Sequence, residues 1–482
     1  MDGKGFAIFM LLFVLNLFLV FYTPLYRVIY VDEGQYLLVA KKMLDGWVPY
    51  RDIIENKPLG AYISLFPAVL LCGTDIVKLR VYTAFMATLA AFLTYLIGKK
   101  VGNWRIGLFA AGITTVINAF PGIGGYILYT DSVANLFILG MFYCLLYLQL
   151  DYNAIFPIGM LFTAACSIRQ SCIFMILPVI YHLYQHRKKL KVVRSIGMFI
   201  AGIGIVIVPM LLYLFINSAI HDAFYWIFIS PVKVIPRSFD ILSRIQDLVI
   251  LSILFLPFLL LAISGLDGMK KKYIIVLIWL LSGLANAEAG YAWPHNYIFI
   301  VPPLSIFASI GIENIINLKN SIKDPVRSNI FAVVLLIVCI TALFYIIYEF
   351  GSASIEWYTP LENQKGIADY INKNTQKEDK IFMFGMNSEL YYLSDRDPAT
   401  KMSFFWGYTC VMGKEEEDEF IFNPLKNVRP KYFLVNDPKT MDLCRNESNI
   451  ETEVMEYVNA NYVYVNTWGF TDLYERINKS VA

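Results

Sequence analysis

Residues 5–39 read GFAIFMLLFVLNLFLVFYTPLYRVIYVDEGQYLLV. From Phe6 to Val28 the run is almost wholly apolar, and its length of about twenty-three residues is enough to cross a bilayer core, which takes roughly 20. It is too long for the apolar centre of a cleavable signal and lacks a clean small-residue cleavage site, so it reads as a retained span. Directly behind it stand two adjacent carboxylates, Asp32 and Glu33. Acids at such a place either cap a helix or do chemistry, and the rest of the chain has to weigh one against the other.

Of the 482 residues, 57% are hydrophobic and only 16% charged. An ordinary soluble domain is about 25% charged, so the composition describes a polytopic membrane protein with room for one further domain. The net charge of +2 carries no message, because the charges are spread unevenly. Of the seven cysteines, Cys72, Cys144, Cys166, Cys172 and Cys339 lie in apolar segments and read as small core residues. Cys410 and Cys444 lie in the polar C-terminal part and could pair if it is extracytoplasmic; no spacing resembles a zinc site.

Apolar runs predict spans near 6–28, 77–98, 106–121, 132–150, 152–167, 171–185, 195–216, 246–264, 273–290, 296–313 and 329–349, eleven in all. Residues 59–72, a shorter run containing Pro67, read as interfacial or re-entrant. One alternating set of loops holds Lys99, Lys100 and Arg105, then Arg187, Lys188, Lys189, Lys191 and Arg194, then Lys270, Lys271 and Lys272, then Lys319, Lys323 and Arg327. The other short loops hold only Arg169, Lys233, Arg237 and Arg244. The positive-inside rule puts the first set in the cytoplasm. The N-terminus is then cytoplasmic, while Asp32, Asp131 and everything after Gly351 are extracytoplasmic. No carboxylate or base falls at mid-membrane, where each costs roughly 2.5–3.5 kcal/mol on insertion scales. Ion-coupled transporters usually need such groups there, which weakens a transporter or lipid flippase reading, although Pro178, Pro209 and Pro257 within spans keep it open. A membrane scaffold with an outer binding domain is a third reading.

The first outer loop, residues 29–62, is IYVDEGQYLLVAKKMLDGWVPYRDIIENKPLGAY. Tyr36, Leu37, Ala40, Met43, Leu44 and Trp47 recur at helical spacing opposite Gln35, Lys41, Lys42 and Asp45, which predicts an amphipathic helix on the membrane surface. Such a helix holds Asp32 and Glu33 at the lipid–water boundary; the plainer alternative is that Asp32 caps it. Lys57 precedes Pro58, which fixes an extended backbone there. It could meet a lipid phosphate or merely snorkel at the interface. Asp131, in YTDSVANLF, opens the fourth span on the same side, again as a cap or as a second acid of a site. His295 lies in YAWPHNY, where an interfacial belt already accounts for Tyr291, Trp293 and Tyr297.

These residues carry a resemblance. The order of first span, Asp-Glu pair, surface helix, DGWVPYRD, Lys-Pro-Leu and a second Asp two loops later resembles the C-type (GT-C) glycosyltransferases. It is most similar to the family 39 and dolichyl-phosphate-mannose–protein mannosyltransferase group, which includes the bacterial aminoarabinose transferase, in its archaeal or bacterial form. AWPHNYIFIVPPLSIFA is similar to the His-Tyr and Pro segment before the last spans of these proteins. The likeness covers the first 150 residues well and the remainder by topology. Two departures stand out: Leu59 where many relatives have a second proline, and Asn56 between Glu55 and Lys57 where relatives often have an acid directly before the lysine.

The resemblance implies a GT-C transmembrane catalytic domain over 1–350, whose outer loop 29–76 holds the surface and re-entrant helices. It further implies an inverting glycosyltransferase of the cell membrane, of the kind used in protein glycosylation and cell-envelope assembly. The donor is a hexose or pentose on a polyprenyl or dolichyl phosphate, and the acceptor is a hydroxyl on a glycan, lipid or protein at the extracytoplasmic face. The catalytic candidates are Asp32 as general base, Glu33 orienting it or a substrate, and Asp131, which could bind the acceptor. Lys57, Arg169, Lys233, Arg237 and His295 are candidates for the donor phosphate, whose charge grows as it leaves. Glu55 is a metal or orienting candidate. Metal use varies across these families, so a divalent ion stays open, with Asp131 or His295 also able to help hold it.

From about Ser352 the composition turns polar. LENQKGIADYINKN and ETEVMEYVNA predict helices, and KIFMFG, KYFLVN and NYVYVNTW predict strands, giving a small α/β domain over 351–482. KEEEDEF at 414–420 predicts a solvated loop. No Walker or dinucleotide motif is present, and no nucleic-acid partner is expected. Asn446 and Asn478 head glycosylation sequons, which agree with an outer location.

Overall fold

The computed structural model describes residues 3–23, 28–120, 122–148, 152–188, 191–234, 245, 255–266, 273–289, 293–321, 361–405, 412–436 and 450–477. From the N-terminus the helices run α1 (Gly3–Tyr22), α2 (Val31–Leu44), α3 (Leu59–Ile63), α4 (Phe66–Cys72), α5 (Ile76–Val101), α6 (Trp104–Asn118), α7 (Thr130–Tyr147), α8 (Ile155–Ile168), α9 (Ile176–Gln185) and α10 (Val192–Ile216). Further helices cover Leu256–Leu266, Ile274–Glu288 and Val301–Ser321. Ten of the eleven expected spans thus carry helix among the described residues; 246–264 is described only from Phe255, and 329–349 lies outside them.

The chain divides into two compact units. The first comprises Met1–Tyr26, Arg80–Met210 and Phe239–Ala353. Among the described residues four helices, α1, α5, α7 and α10, are long and apolar enough to cross a membrane. Helix α10 is apolar on nearly every side and exposes Ile196, Ile200, Ile205, Val208 and Leu212, the surface a bilayer-facing span presents. Where helices cross closely, small residues make room: a side chain at Gly311 would strike the Leu261 carbonyl, and one at Gly265 the Phe307 carbonyl. One buried polar group of the bundle is held by three bonds. Asn16 on α1 is fully buried, donates to Leu12 O (2.8 Å) and Thr88 Oγ1 (3.2 Å), and accepts from the Tyr126 hydroxyl (2.8 Å).

The second unit comprises Arg27–Leu79, Leu211–Ser238 and Ser354–Ala482, so the loop after α1 groups with the C-terminal part of the chain. Its centre is a four-stranded sheet in the order β1 (Ile381–Phe384), β2 (Tyr432–Asn436), β4 (Thr471–Arg476), β3 (Tyr462–Trp468). The first pair is parallel, with Ile381 opposite Tyr432, and the other two pairs are antiparallel. Helices Leu361–Asn374 and Ile450–Asn461 cover it with Ile367, Ile371, Val454 and Val458, all buried. Every expected strand and helix of this part is present. Strand β4 was not anticipated; Gly469, at φ +59°, makes the turn that sends β3 back into it. The acidic run at 414–420 is not a solvated loop. It lies in a helical stretch that buries Glu417, Ile421 and Phe422. Residues 59–72 form two short helices, α3 and α4, fourteen residues end to end, about 21 Å and too short to span.

Helix α2 departs from expectation. Gln35 and Lys42, assigned to a polar outer face, are 1% and 5% exposed. The residues that cover them come from the far end of the chain. Gln35 and Ser403 exchange hydrogen bonds at 3.1 Å, and Lys42 pairs with Asp397 and Asp45. Helix α2 is therefore a core helix of the second unit, with protein on both faces. Cys339, Cys410, Cys444, Asn446, Asn478, Arg237, Arg244 and Tyr291 lie outside the described residues.

Candidate functional site

The second unit holds the first group of candidates. Helix α2 begins after Tyr30, so Asp32 and Glu33 fall in its first turn, where negative charge suits the exposed backbone N–H groups. The two acids have different surroundings. Glu33 is fully buried, and its Oε2 accepts the Tyr30 backbone N–H at 3.4 Å, closing one half of a capping box. Glu33 thus makes a capping contact at the start of α2. Asp32 is partly exposed.

Residues 45–58 make a compact turn that carries Lys57. Gly46, at φ +94°, ends α2. Asp52 Oδ2 accepts the Val48 N–H (2.8 Å), and both its oxygens take bonds from Arg51 (2.8 Å each), which hold its carboxyl below the usual range. Tyr50 sits in the left-handed region at φ +72°, a strained place for an aromatic residue. It is 2% exposed, and its hydroxyl donates to the Lys57 carbonyl at 2.7 Å. The strained backbone thus fixes the position of Lys57, and nothing in the sequence marked Tyr50 for that task. The partly exposed Lys57 ammonium lies 6.0 Å from the centroid of the Tyr36 ring.

Glu55 belongs to the same neighbourhood. It is 4% exposed, and burial pushes its carboxyl up to about 7. The Asn56 backbone N–H (2.7 Å), the Lys57 charge and a bond from Gln35 oppose that rise, while the charge on Asp32 adds to it. Asp32, Glu55 and Lys57 therefore share one electrostatic environment. The arrangement offers a partly exposed aspartate, a carboxyl that ionises near neutrality and a lysine anchored at its backbone.

The first unit holds the second group. Asp131 is in the first turn of α7, is 2% exposed and forms an ion pair with Arg169. Arg169 also donates to Ser171 Oγ (2.9 Å), and Ser171 donates to Asn286 Oδ1. His295 stacks on Tyr129, ring centroids 4.4 Å apart, and Tyr129 is the residue from which α7 starts. Arg169 is thus committed to an acid. Lys233, exposed and in the second unit, is committed to a tyrosine: its ammonium donates to the Tyr225 hydroxyl (3.0 Å), which donates to Glu416 Oε1 (3.0 Å). Among the described residues no three His, Cys, Asp or Glu side chains gather to hold a metal ion.

No family model matches the chain, and no curated protein matches it. Solved structures do. ArnT from Cupriavidus metallidurans bound to undecaprenyl phosphate is similar over 99% of both chains, at a TM-score of 0.68 and 11% identity. The oligosaccharyltransferase of Archaeoglobus fulgidus tethered with an acceptor peptide is similar over 100% of this chain and 75% of that one, at a TM-score of 0.59 and 10% identity. The archaeal oligosaccharyltransferase AglB from the same organism, in complex with an inhibitory peptide and a dolichol-phosphate, has a TM-score of 0.55 and 11% identity. At such identities the likeness is one of fold, and the fold of this chain is that of the GT-C glycosyltransferases, the group its first 150 residues resemble.

Proposed function

We propose that this chain is an inverting glycosyltransferase of the membrane. It moves a hexose or pentose from a polyprenyl-phosphate donor to an acceptor hydroxyl on the extracytoplasmic side. The observation that carries the reading is the division of labour in the acid pair: Glu33 holds the helix start, and Asp32 is left partly exposed beside Glu55 and Lys57. The fold supports it, since ArnT of this fold binds undecaprenyl phosphate and AglB a dolichol-phosphate. The Lys and Arg distribution supports the sidedness.

In this reading the acceptor oxygen attacks the anomeric carbon from the face opposite the phosphate. Its proton passes to Asp32, and the bond between the anomeric carbon and the phosphate oxygen breaks, which inverts the configuration. The electron pair leaves with the polyprenyl phosphate. Lys57, held by Tyr50, stabilises the charge that grows there.

The test is transfer by the purified chain in lipid from undecaprenyl- or dolichyl-phosphate-linked sugars, read as release of the polyprenyl phosphate. Asp32→Asn is expected to lower the rate by about 10²–10⁴-fold and Lys57→Ala by about 10²–10³-fold, with thermal midpoints near wild type. Unchanged transfer by Asp32→Asn would remove the reading and turn attention to a transporter or flippase.

A further inference from the structure

Asp32 sits on a helix whose first turn is gripped by residues more than three hundred positions away. Gln364, 1% exposed, pairs its side-chain amide with both polar groups of Ile29. The Ile29 N–H donates to Oε1 at 3.3 Å, and Nε2 donates to the Ile29 carbonyl at 3.0 Å. Nε2 also donates to Glu389 Oε1 at 3.1 Å, so the amide is held from behind. Gly34 lies against Glu389: a Cβ there would be 2.6 Å from its Cα and 2.9 Å from its backbone N. Ser388 Oγ reaches the Val31 carbonyl at 3.4 Å, and Ser403 holds Gln35 at 3.1 Å. Ile29 and Val31 before the acid pair, and Gly34 and Gln35 behind it, are thus fixed by the C-terminal part.

We propose that Gln364, backed by Glu389, is a positioning residue that sets the start of α2 and holds Asp32 at its reacting distance from the acceptor. The inference rests on the reading of Asp32 as general base. An amide that pairs both the N–H and the C=O of one residue fixes the chain at two points, which a single hydrogen bond does not. A catalytic group displaced by about 1 Å is worth as much as 10²-fold in rate, so such a clamp has leverage over turnover that it lacks over donor binding. Glycine inside a helix is otherwise a cost, and its place at 34 lets two backbones meet. Burial pushes the Glu389 carboxyl up to about 8, so at neutral pH the clamp is mostly free of charge.

The test compares Gln364→Leu, Glu389→Gln and Glu389→Ala with wild type in the same lipid assay, alongside thermal midpoints. Gln364→Leu and Glu389→Ala are expected to lose about 10–100-fold in kcat, with KM for the lipid-linked donor within twofold. Glu389→Gln, which keeps the shape and a polar partner for Gln364, is expected to restore kcat to within threefold. Wild-type kcat in Gln364→Leu, or a loss confined to KM, overturns the proposal. Should wild type transfer no sugar from either lipid phosphate, the reading of the function has failed rather than the clamp. Hydrogen exchange of residues 29–35 then decides: at least tenfold faster exchange in Gln364→Leu supports the clamp, and unchanged exchange overturns it.

Discussion

Glu33 accepts the backbone N–H of Tyr30, while Asp32, one residue earlier, keeps an exposed side. Two neighbouring acids of equal charge therefore have separable consequences. Glu33→Ala removes a helix cap and should cost about 0.5–2 kcal/mol of stability, seen as a lower thermal midpoint, with a smaller loss of transfer rate per folded molecule than in Asp32→Asn. Asp32→Asn should reverse that pattern, with stability kept and rate lost. Differential scanning fluorimetry beside a transfer assay separates the two.

Glu55 should write itself into the pH profile. Its carboxyl, lifted to about 7 by burial, is neutral below that pH and adds a negative charge beside Asp32 and Lys57 above it. The profile of kcat/KM is expected to bend near pH 7. In Glu55→Gln that bend should vanish. A bend that persists unchanged in Glu55→Gln assigns it to another group.

Glu389 bears on stability. Its folded-state pKa, about 8, is raised above the ordinary glutamate value of 4.5. The folded chain therefore holds this proton more tightly than the unfolded chain. Its contribution is fully present below about pH 4.5 and is lost as pH rises through about 8. Thermal midpoints of wild type should drop across that window more steeply than those of Glu389→Gln, which carries no proton to lose.

Asp131 and Arg169 form a buried ion pair, with side chains 3% and 11% exposed. Removing either partner alone leaves a charge without its counterpart, at a cost of about 3–5 kcal/mol. Arg169→Ala and Asp131→Ala should each lower the yield of folded protein in detergent. Asp131→Asn with Arg169→Gln should recover much of it, because a neutral pair still hydrogen-bonds. A double variant as unstable as the worse single one would show that charge itself is needed there.

The apolar helices, the strands and the acid-bearing loops were legible in the sequence because each is a local pattern: apolar runs for helices, β-branched and aromatic runs for β1 to β3. Strand β4 was harder to see, since Asp472, Glu475 and Arg476 break its alternation, and Gly469 was the only strong mark of the hairpin. The burial of α2 was invisible for another reason. Its polar face meets Ser403, Asp395 and Asp397, so residues read as facing water are matched to partners that no local window contains. Gly34 was the available signal, a glycine inside a helix, where only a close backbone approach repays its cost. Tyr50 left no signal, because left-handed φ at an aromatic residue is a tertiary outcome.

The bond between Ile29 and Gln364 joins residues 335 positions apart. At about 5–20 residues per second, a ribosome needs roughly 17–70 s to make the intervening chain. Throughout that interval Glu33, Gln35 and Lys42 are without the neighbours that later enclose them. Nascent chains halted before residue 364 should be sensitive to protease in the 28–45 stretch, and release from that vulnerability comes only once residues 364–403 have been made.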